Sequence, residues 1–163
     1  TTANARPERS PSVVRRSSFV VIGYGNDLRG DDAAGRRVVE AVADLGLPGV
    51  QALSLPQLAP ELAELLAGAR VAIFVDACLS AGDDRVRVRE LAPADPTALG
   101  HTSSPAWLLA LAGQLYGRSP PAWLVAVPAH NLALGARLSA RTQRACAAAI
   151  AEVRRLIRTT PGG

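Results

Sequence analysis

Apolar positions along the chain follow two alternating rhythms. Ser18–Gly23 (SFVVIG) is a short continuous apolar run, the pattern of a strand buried on both faces. From Asp32 to Leu45, the residues Ala34, Val38, Ala41, Val42 and Leu45 share one helical face, which predicts an amphipathic helix. Val50–Leu55 reads as a second strand and Leu58–Ala67 as a second helix after Pro56. Arg70–Asp76 (RVAIFVD) is the clearest buried strand. Arg85–Glu90 (RVRVRE) alternates strictly, which predicts a half-exposed strand at a sheet edge. Ser104-Pro105 has the form of an N-cap followed by proline at the first helical position, opening a helix through Leu115. Ala122–Val127 (AWLVAV) is a further strand. Ser139–Ile157 sets Cys146, Ile150, Val153 and Ile157 on one side of a final helix and its arginines on the other.

Strands alternating with helices predict an α/β fold: a three-layer α/β/α sandwich around a mostly parallel five-stranded sheet, with the Arg85–Glu90 strand antiparallel at the edge. Residues 18–160 form one expected domain. Residues 1–17, rich in Pro, Ser, Thr and Arg and without periodicity, read as a disordered basic tail. Arg15-Arg16 ahead of Phe19–Ile22 resembles a twin-arginine export signal, but the apolar stretch is too short for one. The 163 residues are 48% hydrophobic and 20% charged, a globular composition, and no apolar run approaches the roughly 20 residues of a membrane helix. Two cysteines, Cys78 and Cys146, exclude a disulfide scaffold and lack zinc-finger spacing.

The net charge of +4 suggests nucleic acid only until it is located. Residues 1–18 carry Arg6, Arg9, Arg15 and Arg16 against Glu8, so most of the excess sits in the tail. With two Trp, two Tyr and two Phe in all, the body offers no basic stripe with stacking aromatics, and nucleic acid is not an expected partner.

The densest chemistry follows the first strand, in Gly23-Tyr24-Gly25-Asn26-Asp27-Leu28-Arg29-Gly30-Asp31-Asp32-Ala33-Ala34-Gly35. The spacing is not that of a dinucleotide fingerprint, because Leu28 stands three after Gly25, and the aspartates crowd the helix start where a pyrophosphate needs bare amides. A phosphate-binding loop would need a lysine, and the chain has none. One aspartate at a helix start is explained by capping; the second requires another reason. Asp76, ending the central strand, lies on the edge of an α/β sheet where ligands bind, and shares a crevice with Asp32 if its strand neighbours the first. His101 precedes a helix N-terminus, which favours the neutral, metal-binding imidazole; His130, after the last strand, is the competing candidate. Two carboxylates and an imidazole form an open O/O/N set suited to zinc or nickel. No Gly-x-Ser-x-Gly elbow is present, and Cys78, between Ala77 and Leu79, reads as an inert buried thiol.

The run from Gly23 to Gly35 resembles the opening motif of the hydrogenase maturation endopeptidases, approximately G-x-G-N-x-L-x-x-D-D/E-G-x-G, with Ala33 in place of the glycine after the acidic pair. The resemblance continues through Gln57–Leu62, Phe74-Val75-Asp76-Ala77, His101–Pro105 with Leu108-Leu109, and Gly135–Ser139, in order. It implies a protease that removes a C-terminal extension from a nickel–iron hydrogenase large-subunit precursor after nickel insertion. Asp32, Asp76 and His101 fall on the family's metal-contacting positions, with Asp32 and Asp76 as the catalytic pair and the nickel carried by the precursor. Asn26, Asp27 and Asp31 would shape the site without catalysing. Two other readings are a self-contained zinc metallohydrolase using the same three residues, and a non-cleaving module that binds a nickel-loaded partner. A cytoplasmic monomer with no membrane association is expected.

Overall fold

The computed structural model describes residues 18–95 and 103–161. The expected tail over 1–17, and His101, lie outside the described residues. Five strands, β1 (Phe19–Tyr24), β2 (Val50–Leu55), β3 (Val71–Leu79), β4 (Arg87–Leu91) and β5 (Ala122–Ala129), form one sheet in the order β2-β1-β3-β5-β4. β1 pairs in parallel with β2 and β3, β3 in parallel with β5, and β4 antiparallel to β5 at the edge. Helices α1 (Ala34–Asp44) and α4 (Ala140–Thr159) cover one face, packing on Val21, Ile73, Val75, Val125 and Val127. Helices α2 (Leu62–Gly68) and α3 (Pro105–Tyr116) cover the other, on Val20, Ile22, Phe74 and Leu124. β1, and β3 as far as Val75, are buried on both faces, which is why their sequences are continuously apolar; β5 mixes buried and half-buried positions.

The elements depart from their predicted limits for local reasons. A 3-10 turn, Gly30–Ala33, precedes α1, so the helix predicted from Asp32 starts as a tighter coil. Ala34, Val38 and Val42 are buried as predicted, joined by Val39, whereas Leu45 lies past the helix end and is 45% exposed. α2 begins at Leu62 and not at Leu58, because Pro60 disfavours helical geometry at Ala59; Leu58 is buried nonetheless. β3 continues three residues beyond Asp76, since β5 pairs with it as far as Leu79↔Ala129. Ser104 caps α3 by accepting from the Trp107 N–H, and Gly117 ends it in the left-handed region at φ 70°.

This topology creates a place for a site. The chain leaves β1 for β2 on one side and later returns to place β3 on the other, so loops diverge at the carboxyl ends of β1 and β3. α1 starts against that crevice: a Cβ on Gly35 would run into the carbonyl oxygen of Val75, so only glycine lets the first turn lie this close to β3.

A buried carboxylate locks the surrounding loops. Asp31 has no solvent exposure. Its Oδ2 accepts from the backbone N–H groups of His130 (2.8 Å) and Asn131 (2.9 Å) and from the hydroxyls of Ser139 and Thr142, both 2.8 Å away. Its Oδ1 accepts from the Ser139 N–H at 2.6 Å. The Asp31 N–H in turn donates to the Asn131 carbonyl at 2.8 Å. One side chain thereby ties the turn after β1 to the loop between β5 and α4. Burial acts to raise its pKa, but the N–H groups of Ser139, His130 and Asn131 and the Thr142 hydroxyl overcome that and hold it down at about 2.

An amide cannot replace this carboxylate, because its NH2 would face donors. Asp31→Asn is expected to cost about 3–5 kcal/mol of folding stability, against about 1 kcal/mol or less for Asp32→Asn, measured by urea denaturation at pH 7. The Asp31 contribution is present above the ordinary carboxylate pKa of 3.8 and is lost as pH falls towards 2.

Candidate active site

The crevice between β1 and β3 brings Asp32 and Asp76 together. Pairing of β1 with β3 ends at Gly23↔Val75, so Asp76 is the first β3 residue free of β1, and strand alternation puts it on the face of Phe74. Tyr24 ends β1 on the same face, and its hydroxyl donates to Asp76 Oδ2 at 2.9 Å. Asp32 stands in the 3-10 turn, and its Oδ2 accepts from the Asn26 N–H at 2.8 Å. Neither Asp31 nor Asp32 caps a helix through its side chain, so capping explains neither. One holds the fold; the other faces the crevice.

The electrostatics of the pair set its chemistry. Burial pushes the Asp76 carboxyl up to about 6, and the nearby negative charge of Asp32 adds to the rise. Hydrogen bonds from the Tyr24 hydroxyl and the Ala77 N–H oppose it without cancelling it. Tyr24 is itself pushed well above the ordinary phenol range, first by burial and then by Asp76, so it remains a neutral donor. The repulsion that Asp32 adds at Asp76 favours an arriving cation or proton, and a carboxyl raised to about 6 suits proton transfer from water.

The residues between the two aspartates' strands shape the turn after β1. Asn26 Oδ1 accepts from the Leu28 N–H at 2.9 Å, closing a tight turn, and Asp27 pairs with Arg36 of α1 at 2.7 Å. A Cβ on Gly25, at φ 150°, would collide with the Asp32 carbonyl oxygen, so this glycine is required for the loop to fold back on the acidic turn. Tyr24 was not among the expected site residues. The signal for it was the register: once β1 lies beside β3, Val20, Ile22 and Tyr24 share a face with Phe74 and Asp76.

Two expectations change. His130 does not join the aspartates: its side chain is 12% exposed, and Nε2 lies 3.0 Å from Asp84 Oδ1, whose carboxylate also pairs with Arg141. Its backbone N–H serves Asp31 instead. Among the described residues, no three His, Cys, Asp or Glu side chains gather as a metal site, so a third ligand to the Asp32/Asp76 pair would come from outside them, as His101 does, or from a substrate. Cys78 is exposed, not buried, because β3 runs past the edge of β1 at that point. It lines a cleft of about 200 Å³ with Ser80, Asp83, Arg85 and Arg87. Cys146 is the buried thiol, pushed up to about 11 by burial and the Asp31 charge. Among the described residues no helix is long and apolar enough to cross a membrane.

A carboxyl raised from 3.8 to about 6 costs stability: the penalty is absent below pH 4, grows between pH 4 and 6, and is complete above 6. Asp76→Asn is therefore expected to be more stable than the wild type by about 1–3 kcal/mol at pH 7, with the difference vanishing near pH 4. Parallel denaturation curves across that range check it.

No protein-family profile matches the chain, and no curated protein matches it in sequence. Solved structures do. The hydrogenase 2 maturation peptidase from Thaumarchaeota archaeon SCGC_AB-539-E09 is 24% identical, with 85% of this chain and 97% of that one covered at a TM-score of 0.62. The hydrogenase maturating endopeptidase HybD from E. coli is 22% identical over 87% and 93% of the two chains, with a TM-score of 0.65. The NiFe hydrogenase maturation protease HycI from Thermococcus kodakarensis KOD1 is 22% identical over 88% and 94%, with a TM-score of 0.63. The chain has the fold of these proteins over most of its length.

Proposed function

We propose that this protein is an endopeptidase of hydrogenase maturation, which removes a C-terminal extension from the large-subunit precursor of a nickel–iron hydrogenase once nickel is in place. The observation that carries the reading is the Asp32/Asp76 pair at the switch between β1 and β3, in a fold it shares with proteins named as hydrogenase maturation proteases. The motif that supplies Asp32 and the strand that supplies Asp76 are the two segments by which the sequence resembles that family.

In this reading the nickel belongs to the substrate. The precursor's metal arrives already held by its own ligands, and the enzyme offers the carboxylates of Asp32 and Asp76, with His101 as the imidazole of the set. The like charges of the two carboxylates favour such a cation over an empty crevice. Tyr24 and Asn26 restrain one oxygen of each carboxylate, so both aspartates meet the substrate in fixed orientations. Peptide hydrolysis then adds a water oxygen to the scissile carbonyl carbon, breaks the C–N bond and delivers a proton to the departing nitrogen. A carboxylate of the pair is placed to accept the water proton and return it to the leaving amine. The protein is expected to act in the cytoplasm, as a monomer, before any export of its partner.

The test is to incubate the purified protein with nickel-loaded and nickel-free precursor and to read intact masses. Loss of a C-terminal peptide from the loaded form alone is the expected result. Cleavage of both forms would support a hydrolase that does not check for nickel, and cleavage of neither would contradict the reading. Asp32→Ala and Asp76→Ala are each expected to reduce processing at least a hundredfold while the circular dichroism spectrum stays native.

A further inference from the structure

Three of the six large apolar side chains exposed among the described residues lie at or just past the carboxyl ends of parallel strands: Leu28 (66% exposed) after β1, Leu79 (69%) ending β3, and Leu134 (80%) after β5. That is the edge carrying Asp32 and Asp76. Leu28 and Leu134 belong to loops stitched to each other. The Gly135 N–H donates to the Leu28 carbonyl at 2.8 Å, the Asp31 N–H donates to the Asn131 carbonyl at 2.8 Å, and a Cβ on Gly30 would come within 3.2 Å of the Ala136 methyl. The Leu28 loop is also the one whose Asn26 N–H holds Asp32. The leucines are thus presented on a preformed rim that runs directly into the crevice.

Charge on this rim is one-sided. Arg29 and Arg137, the exposed arginines beside Leu28 and Leu134, pair with no carboxylate among the described residues, whereas nearby Arg36 and Arg141 are neutralised by Asp27 and Asp84. Two leucines held open to water by rigid loops, flanked by two unneutralised guanidinium groups, favour a protein surface that sets carboxylates beside apolar side chains. A small peptide alone would not need them, because they stand outside the crevice on the loops bordering it.

We propose that Leu28, Arg29, Leu134 and Arg137 form the docking surface for the folded body of the precursor, binding an acidic, apolar patch of it while the scissile segment enters the crevice. The proposal rests on the protease reading and adds to it where on this chain the substrate is held. Because the rim is fixed by Asp31 and not by substrate, it acts as a rigid ruler between the docked body and the aspartate pair.

The test uses the full chain and nickel-loaded precursor, with kcat and KM measured for the wild type and two double variants, Leu28→Ser with Leu134→Ser and Arg29→Glu with Arg137→Glu. All four side chains are exposed, and thermal melts report whether each variant folds. Each pair is expected to raise KM tenfold or more with kcat within twofold, and the arginine pair is expected to flatten the rise of KM with salt. Wild-type processing with KM within twofold in both double variants would overturn the docking surface and leave the protease reading standing. If the wild type leaves loaded precursor uncut, the protease reading fails and the docking surface falls with it.

Discussion

Everything at the carboxyl edge of this sheet depends on a carboxylate that solvent never reaches. Asp31 is buried and charged, a combination that costs several kcal/mol unless the charge is met by donors on all sides. Here it is met by three backbone N–H groups and two hydroxyls from residues 130, 131, 139 and 142, about a hundred positions along the chain. Those donors come from a loop that would otherwise have unsatisfied amides beside the core. The loop needs an acceptor and Asp31 needs donors, so each is stable only in the presence of the other. The turn after β1, the end of β5 and the start of α4 become one rigid body.

Hydrogen-bond donors also explain why two aspartates at this edge of the sheet, Asp31 and Asp76, have opposite characters. Asp31 is satisfied and strongly acidic; Asp76, across the crevice from Asp32, is undersatisfied and holds its proton to about 6. Burial acts on both, and the number of donors decides the outcome. A fold that retains a carboxyl in such surroundings gives up stability for a group able to bind a cation or move a proton near neutral pH, the trade expected of a working site.

Much of this was legible in the residues. Continuous apolar runs marked β1, β3 and β5, strict alternation marked β4 as the edge, and Ser104-Pro105 marked the start of α3. Asp32 and Asp76 were visible as a pair conditional on β1 and β3 being neighbours, which the pairing of Gly23 with Val75 satisfies. What depended on long-range packing was not visible. Nothing local distinguishes Asp31 from Asp32, because the donors that separate them lie at the far end of the chain. Cys78 read as buried because its sequence neighbours are apolar, yet β3 overruns β1 there and leaves it open. His130 carried the residue type of a ligand, but its ring is turned to Asp84, a residue no motif connects to it.

The central claim, that Asp31 builds this edge of the sheet, is tested most directly by hydrogen exchange at the amides of His130, Asn131 and Ser139. In the wild type these three loop amides are expected to exchange as slowly as those in the interior of β3, to lose that protection in Asp31→Asn, and to keep it in Asp32→Asn. Fast exchange at all three in the wild type, or equal loss of protection in both variants, would contradict the account.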